Sequence, residues 1–385
     1  FLLGRGIFTF ASLACGIAPS LDILLAARLA QGTGAAMIAA VAPLLCIRHL
    51  PPGMLAMALG VMAATSSIGF AVGPAIGGFL TQYLSWHWIF LVNIPIGIIG
   101  ILFAARVIPK DEPEEHPASF DYWGAVLLFC AMALGTFALA EGPARGITDP
   151  LIPGCIALCL LSGILFILRE LNTREPLINI RIFLSGSFSF VLIAFLLMNV
   201  TFMGIIYLLP FYLTSMMQYD AAMIGLCLLI PPAVIALVSV PFGKWSDRSG
   251  RRAFAVAACG IIIIYNAIFA VIIPASGFLP LLAGLILIGV AVGIFAGPAA
   301  SRIIENAPPG EEGTGSSLMV TTIYSGAVLG TAIYAAIFTI TTADFGRIVA
   351  FSDLDATTFL SGFHLTMAAG LALSVIALVL SAVVP

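Results

Sequence analysis

Charge is what this 385-residue chain has least of: its 15 Lys and Arg and 18 Asp and Glu make up 9% of the residues, against about 25% in a soluble domain. An ordinary soluble protein is thereby excluded. With 61% apolar residues, in recurring runs of about 18 or more, the solvent for folding must be lipid. The net charge of −3 is small and the basic residues form no stripe, which gives nucleic acid no footprint. Cysteine chemistry is lacking too. Cys15, Cys46, Cys130, Cys155, Cys159, Cys227 and Cys259 contain no Cys-x-x-Cys pair and no neighbouring His, so neither a disulfide framework nor a zinc site is expected. His49, His87, His116 and His364 are scattered, and Gly243-Lys244 is followed by Trp245 rather than Ser or Thr. No metal, no cofactor, no phosphate loop and no catalytic residue is therefore expected, and the chain does not read as an enzyme.

What is present is a series of apolar helices. Breaking the runs at Pro, Gly and charge gives candidates at 2–20, 22–48, 54–80, 88–106, 121–141, 151–169, 187–215, 221–242, 253–274, 280–300, 315–340 and 362–383. This is an all-α membrane protein with about twelve transmembrane helices. If the N-terminus lies inside, Arg5, Arg48, Arg106, Lys110, Arg169, Arg174, Arg181, Lys244, Arg248, Arg251, Arg252 and Arg302 are cytoplasmic, while only Arg145 and Arg347 face out. That asymmetry supports the span count and places both ends in the cytoplasm of a cell-membrane protein. Arg28 alone falls inside a span.

The chain also repeats. An offset of 257 residues aligns Gly32 with Gly289, Pro51-Pro52-Gly53 with Pro308-Pro309-Gly310, Gly69 with Gly326 and Gly73 with Gly330. Two pseudo-symmetric helix bundles are expected. The same offset carries the charged segment Gly243–Arg252, and the helix starting near 187, to positions ahead of Phe1. Two further helices are expected there, which would make the visible twelve the third to fourteenth of fourteen. The divisions expected are 1–110, a four-helix remnant of the N-terminal bundle; 111–180, a linker and inserted helix pair; and 181–385, a six-helix C-terminal bundle.

Four segments carry a family likeness. They are Gly243-Lys244-Trp245-Ser246-Asp247-Arg248-Ser249-Gly250-Arg251-Arg252; Arg28-x-x-Gln31-Gly32-x-Gly34; Gly69-x-x-x-Gly73-Pro74-x-x-Gly77-Gly78; and Trp86-His87-Trp88-Ile89-Phe90-x-x-Asn93-x-Pro95-x-Gly97. Together they resemble the major facilitator superfamily, and within it the fourteen-helix drug:proton antiporters. The resemblance implies secondary transport of a small molecule, with protons as coupled ion, by two bundles that rock in the bilayer. It implies a latch at Asp247, Arg248, Gly250, Arg251 and Arg252, a rocking interface at Gly69, Gly73, Pro74, Gly77 and Gly78, and proton coupling through Arg28 and Gln31. A related facilitator or symporter that imports a nutrient fits the same motifs. A membrane enzyme or respiratory antiporter-like subunit fits less well, because its spans would need several buried Lys or Glu.

Residue chemistry agrees but leaves alternatives open. Gly69, Gly73 and Gly77 share a helix face that admits a close neighbour, whether static or rocking, and Pro74 frees the Phe70 carbonyl. A charge at mid-span costs roughly 2.5–3.5 kcal/mol, so Arg28 should face acceptors inside the bundle; snorkelling to the outer surface is the competing reading. Glu141 is the best visible proton carrier, although beside Gly142-Pro143 it also reads as solvated. Asn199, Met203, Tyr207, Tyr265, Asn266 and Tyr324 are candidate substrate contacts and equally candidate helix-packing residues. A monomer is expected.

Overall fold

The computed structural model describes residues 1–49, 55–108, 121–146, 149–173, 176–271, 277–308, 312–342 and 355–384. The turns at 51–53 and 309–310, the linker Lys110–His116, Arg174 and Arg347 lie outside the described residues, as do the side chains of Cys46, Arg48, Lys244 and Asp247. The helices are α1 (Leu2–Gly16), α2 (Leu21–His49), α3 (Leu55–Tyr83), α4 (Trp88–Leu91), α5 (Asn93–Val107), α6 (Tyr122–Arg145), α7 (Leu151–Asn172), α8 (Gly186–Ser215), α9 (Ala221–Ser249), α10 (Arg251–Phe269), α11 (Phe278–Glu305), α12 (Glu312–Thr342) and α13 (Ala356–Val383). A short 3₁₀ turn at Ile180–Leu184 precedes α8.

Since α4 and α5 join into one apolar stretch, Trp88–Val107, each of the twelve expected helices has its counterpart. Ten stretches among the described residues are long and apolar enough to cross a bilayer. Large apolar side chains such as Leu29, Phe103, Leu237 and Leu279 stand exposed on them. In water that surface would aggregate, whereas in lipid it is the expected exterior. This is a multi-pass membrane protein.

Two compact units divide the chain: 1–117 with 219–232, and 118–218 with 233–385. In the first, α1 and α2 form a hairpin at close range. A β-carbon on Gly4 would lie 2.7 Å from that of Met37, and one on Gly34 would lie 2.6 Å from the Phe8 nitrogen. On the side of α5, Gly97 meets Thr9 and Gly100 meets the Arg5 guanidinium. Glycines thus sit at the crossings, where dispersion and small size hold membrane helices together.

In the second unit α8 is the central element, with Phe188, Phe195, Met198, Leu208 and Tyr212 buried along its length. It packs on α12 through Gly326, which faces Asn199, and through Gly330, which faces the Val200 carbonyl.

Candidate functional site

The Arg28 motif builds a polar chain inside the first unit. Arg28 and Gln31, three residues apart on α2, share a face, and Arg28 Nη1 donates to Gln31 Oε1 at 2.7 Å. Gln31 Nε2 donates to Ser12 Oγ at 2.7 Å, and the Ser12 hydroxyl donates to the Phe8 carbonyl at 2.7 Å. Every donor points the same way, so Gln31 presents its acceptor oxygen to the guanidinium. Gln31 is 4% exposed and Ser12 fully buried, while Arg28 is exposed with its Cζ 5.6 Å from the Phe90 ring centroid. The span holding this chain is the least apolar of the ten. Ser12 was missed in the sequence because a serine in an apolar run carries no signal of its own; the α1–α2 hairpin brings it to Gln31.

The glycine motif on α3 makes its close approach at one end. Gly78 meets Ala221 and Gly225 of α9, and a β-carbon on Gly225 would lie 2.5 Å from the Pro74 carbonyl oxygen. No described atom lies within 4 Å of a β-carbon placed on Gly69, Gly73 or Gly77. The close neighbour expected along that whole face is therefore replaced by a crossing at Pro74 and Gly78. The repeat-equivalent glycines, Gly326 and Gly330, do carry a close crossing, against Asn199 and Val200 of α8.

The charged segment is more helical than expected. The candidate helices end at 242 and resume at 253, but α9 runs on to Ser249, and only Gly250, at φ 99°, separates it from α10. No Pro interrupts Lys244–Ser249, and a polar helix end projecting out of hydrocarbon keeps its backbone bonds; the left-handed Gly250 then makes the break. Arg251 pairs with Glu305 of α11. Arg252 donates to the Ala382 carbonyl, and buried Arg302 donates to Ser381 O at 3.2 Å and Val384 O at 2.8 Å. Cations thus hold the carbonyl end of α13, where its dipole is negative. Arg248 is exposed.

The remaining candidates scatter. Asn199, Met203 and Tyr207 are half-buried on α8; Asn199 Nδ2 donates to Phe195 O at 2.8 Å, and Tyr207 packs edge-on against Phe211. Tyr265, stacked on Phe269, and Asn266, bonded to Ser374, are fully buried packing residues of the second unit. Tyr324 is 61% exposed. Glu141 accepts from Arg145 Nε at 2.9 Å in an exposed pair at the end of α6.

The family model of the Major Facilitator Superfamily matches residues 1–331. The chain belongs to this superfamily. It is 29% identical over 338 residues to the riboflavin transporter RibZ of Clostridioides difficile, covering 88% of this chain and 73% of that protein. It is 29% identical over 339 residues to a multidrug resistance protein B homolog of Mycobacterium tuberculosis, covering 86% of this chain and 62% of the relative. The chain thus spans only part of the length of these relatives. Two solved transporters share the fold: the human organic anion transporter MFSD10, at TM-score 0.57 and 17% identity over 97% of this chain and 76% of its own, and a bacterial homolog of the human lysosomal transporter Spinster, at TM-score 0.57 and 15% identity over 100% and 81%. Family and fold point to a transporter and not an enzyme.

Two acids of this facilitator escaped the sequence. Asp121 caps α6 through the Gly124 amide at 2.9 Å and takes a two-pronged bond from Arg169 Nε at 2.7 and 2.9 Å. The Gly124 amide foremost, then the Arg169 guanidinium, hold its carboxyl below the usual range against the opposing effect of burial. Glu170, 4% exposed, accepts from the Ile178 amide at 2.9 Å. An Asp just ahead of an apolar run is a readable cap signal, but Glu170 has none, since tertiary packing, the return of the chain at Ile178 and the start of α6 at Gly124, encloses it.

Proposed function

We propose that this facilitator is a secondary active transporter of the fourteen-helix drug:proton antiporter kind, exporting small amphipathic compounds by alternating access. The observation that carries the reading is the chain from Arg28 through Gln31 to Ser12, which stabilises an intramembrane cation through polar side chains while leaving the rest of its guanidinium free to meet an acceptor. The multidrug resistance name of the mycobacterial relative supports the substrate class. In this reading α3 flexes at Pro74 beside Gly69, Gly73, Gly77 and Gly78, and the junction at Asp247, Arg248, Gly250, Arg251 and Arg252 steadies one access state. In this reading residues 1–110 are four helices of the N-terminal bundle, 111–180 a linker and inserted helix pair, and 181–385 a six-helix bundle. Asn199, Met203, Tyr207, Tyr265, Asn266 and Tyr324 are its candidate substrate contacts, of which Tyr265 and Asn266 are fully buried. Glu141 is a proton carrier only if its bond to Arg145 opens. The protein sits in the cell membrane as a monomer with both ends cytoplasmic.

Proteoliposomes carrying the protein and a lipophilic dye provide the test. Dye efflux collapses when a protonophore removes the gradient, and Arg28→Leu slows it at least about tenfold, on the scale of losing one charge-assisted contact. Efflux indifferent to the gradient would reject the coupling. The riboflavin transporter among the relatives favours a second reading, nutrient uptake, which labelled riboflavin entering the same vesicles would support.

A further inference from the structure

Four helices of the second unit bring polar side chains to one point in an apolar interior. Thr201 on α8, Asn266 on α10, Tyr334 on α12 and Ser374 on α13 are all 0% exposed. Asn266 spends both amide hydrogens, on Ile262 O at 2.9 Å and Ser374 Oγ at 3.3 Å, and the Ser374 hydroxyl turns to Gly370 O at 2.7 Å. Asn266 Oδ1, the Tyr334 hydroxyl and the Thr201 hydroxyl are left with no hydrogen-bond partner in the protein.

These three atoms converge. A methyl on Gly370 would run into the Tyr334 hydroxyl and lie 2.7 Å from Asn266 Oδ1. Thr201 lies three residues before Gly204 on the same face of α8, the face that the Tyr334 ring packs against, and its hydroxyl too has no partner in bonding geometry. The Tyr334 ring itself lies against Gly204 of α8, so it cannot swing aside without moving that helix. Buried polar atoms are almost always paired, and these orphans, two of them over Gly370, define a ligand that both donates and accepts. We propose that Asn266, Tyr334 and Thr201 bind one ordered water molecule in the core of this unit. The water donates to Asn266 Oδ1 and accepts from the Tyr334 and Thr201 hydroxyls, which gives each of the three oxygens a partner and ties α8, α10 and α12 together beside α13. The site contains no carboxylate, which favours a neutral ligand over a cation.

Hydroxyl-radical labelling with mass spectrometry tests the site, because radicals formed from a bound water oxidise the aromatic ring beside it even when bulk solvent is excluded. In the purified protein Tyr334 should be oxidised at least about fivefold faster than Phe359, which is equally buried but stacked among Phe338 and Phe363. Asn266→Leu should bring Tyr334 down to the Phe359 rate while exposed Tyr324 is unchanged; Thr201→Val provides the same comparison if the first variant does not fold. Tyr334 as slow as Phe359 in the unaltered protein, or unaffected by either substitution, overturns the proposal. A melting temperature that depends on sodium against choline, and loses that dependence in Asn266→Leu, would overturn it in favour of a cation.

Discussion

Arg28 shows how one residue is made tolerable in a bilayer. Its charge is neither buried outright nor paired with an acid among the described residues; it leans on Gln31, whose own amide is anchored to Ser12 and through it to a backbone carbonyl. The links run in series, so breaking any of them frees the next. Asp355 makes a simpler case outside the spans. It caps α13, accepting from the Thr357 hydroxyl and from the Thr358 amide at 3.2 Å, and these bonds, Thr357 first, hold its carboxyl down at about 2. An unfolded Asp titrates near about 3.9. The folded value is the lower one, so the cap contributes its stability above about pH 4 and loses it as pH falls through about 2. In thermal melts the difference between the unaltered protein and Asp355→Asn should shrink steadily over that window; a constant difference would show that the carboxylate is not what caps the helix.

At the scale of elements, the crossing of α3 with α9 is set by what is missing from Gly78 and Gly225. Their bare backbones let the Pro74 carbonyl oxygen lie against α9. Gly225→Val should push the helices apart and cost about 1–3 kcal/mol through overpacking. Gly163→Ala on α7, where a β-carbon meets no described atom within 4 Å, should instead gain up to about 0.5–1 kcal/mol from helix propensity. Unfolding followed by tryptophan fluorescence separates the two, and equal effects would remove the crossing's claim to specificity. The sequence marked Gly78 only as a member of the α3 motif, for the four-residue spacing of Gly69, Gly73 and Gly77 picks out a different face. It gave no sign of Gly225, because a single glycine in an apolar run looks the same at a crossing as on a lipid face.

For the whole molecule, orientation follows from which charges share an end. In the second unit Arg251, Arg252 and Arg302 gather with the last carbonyls of α13. Asp121 and Arg169 join the start of α6 to the end of α7, while Arg145 pairs with Glu141 and Asp149 at the far end of α6. Such segregation is what insertion with basic residues inside produces. Arg145→Cys in intact cells should react with a membrane-impermeant maleimide, and Arg248→Cys only after permeabilisation. The reverse pattern would invert the topology.

The number, order and approximate limits of the helices were decided by the sequence alone, because in lipid every backbone group must be satisfied within its own helix and a long apolar run has no other solution. The motifs at Arg28 and Gly250 were readable for the same local reason, a charge in a span and a glycine at a break. Which polar atoms meet was not. Ser12 beside Gln31, Glu170 beneath Ile178 and Tyr334 over Gly370 are joined by helix rotation and depth, and an apolar exterior leaves both free along the chain. Only packing one helix on another fixes them, and that is where the polar chemistry of this transporter is made.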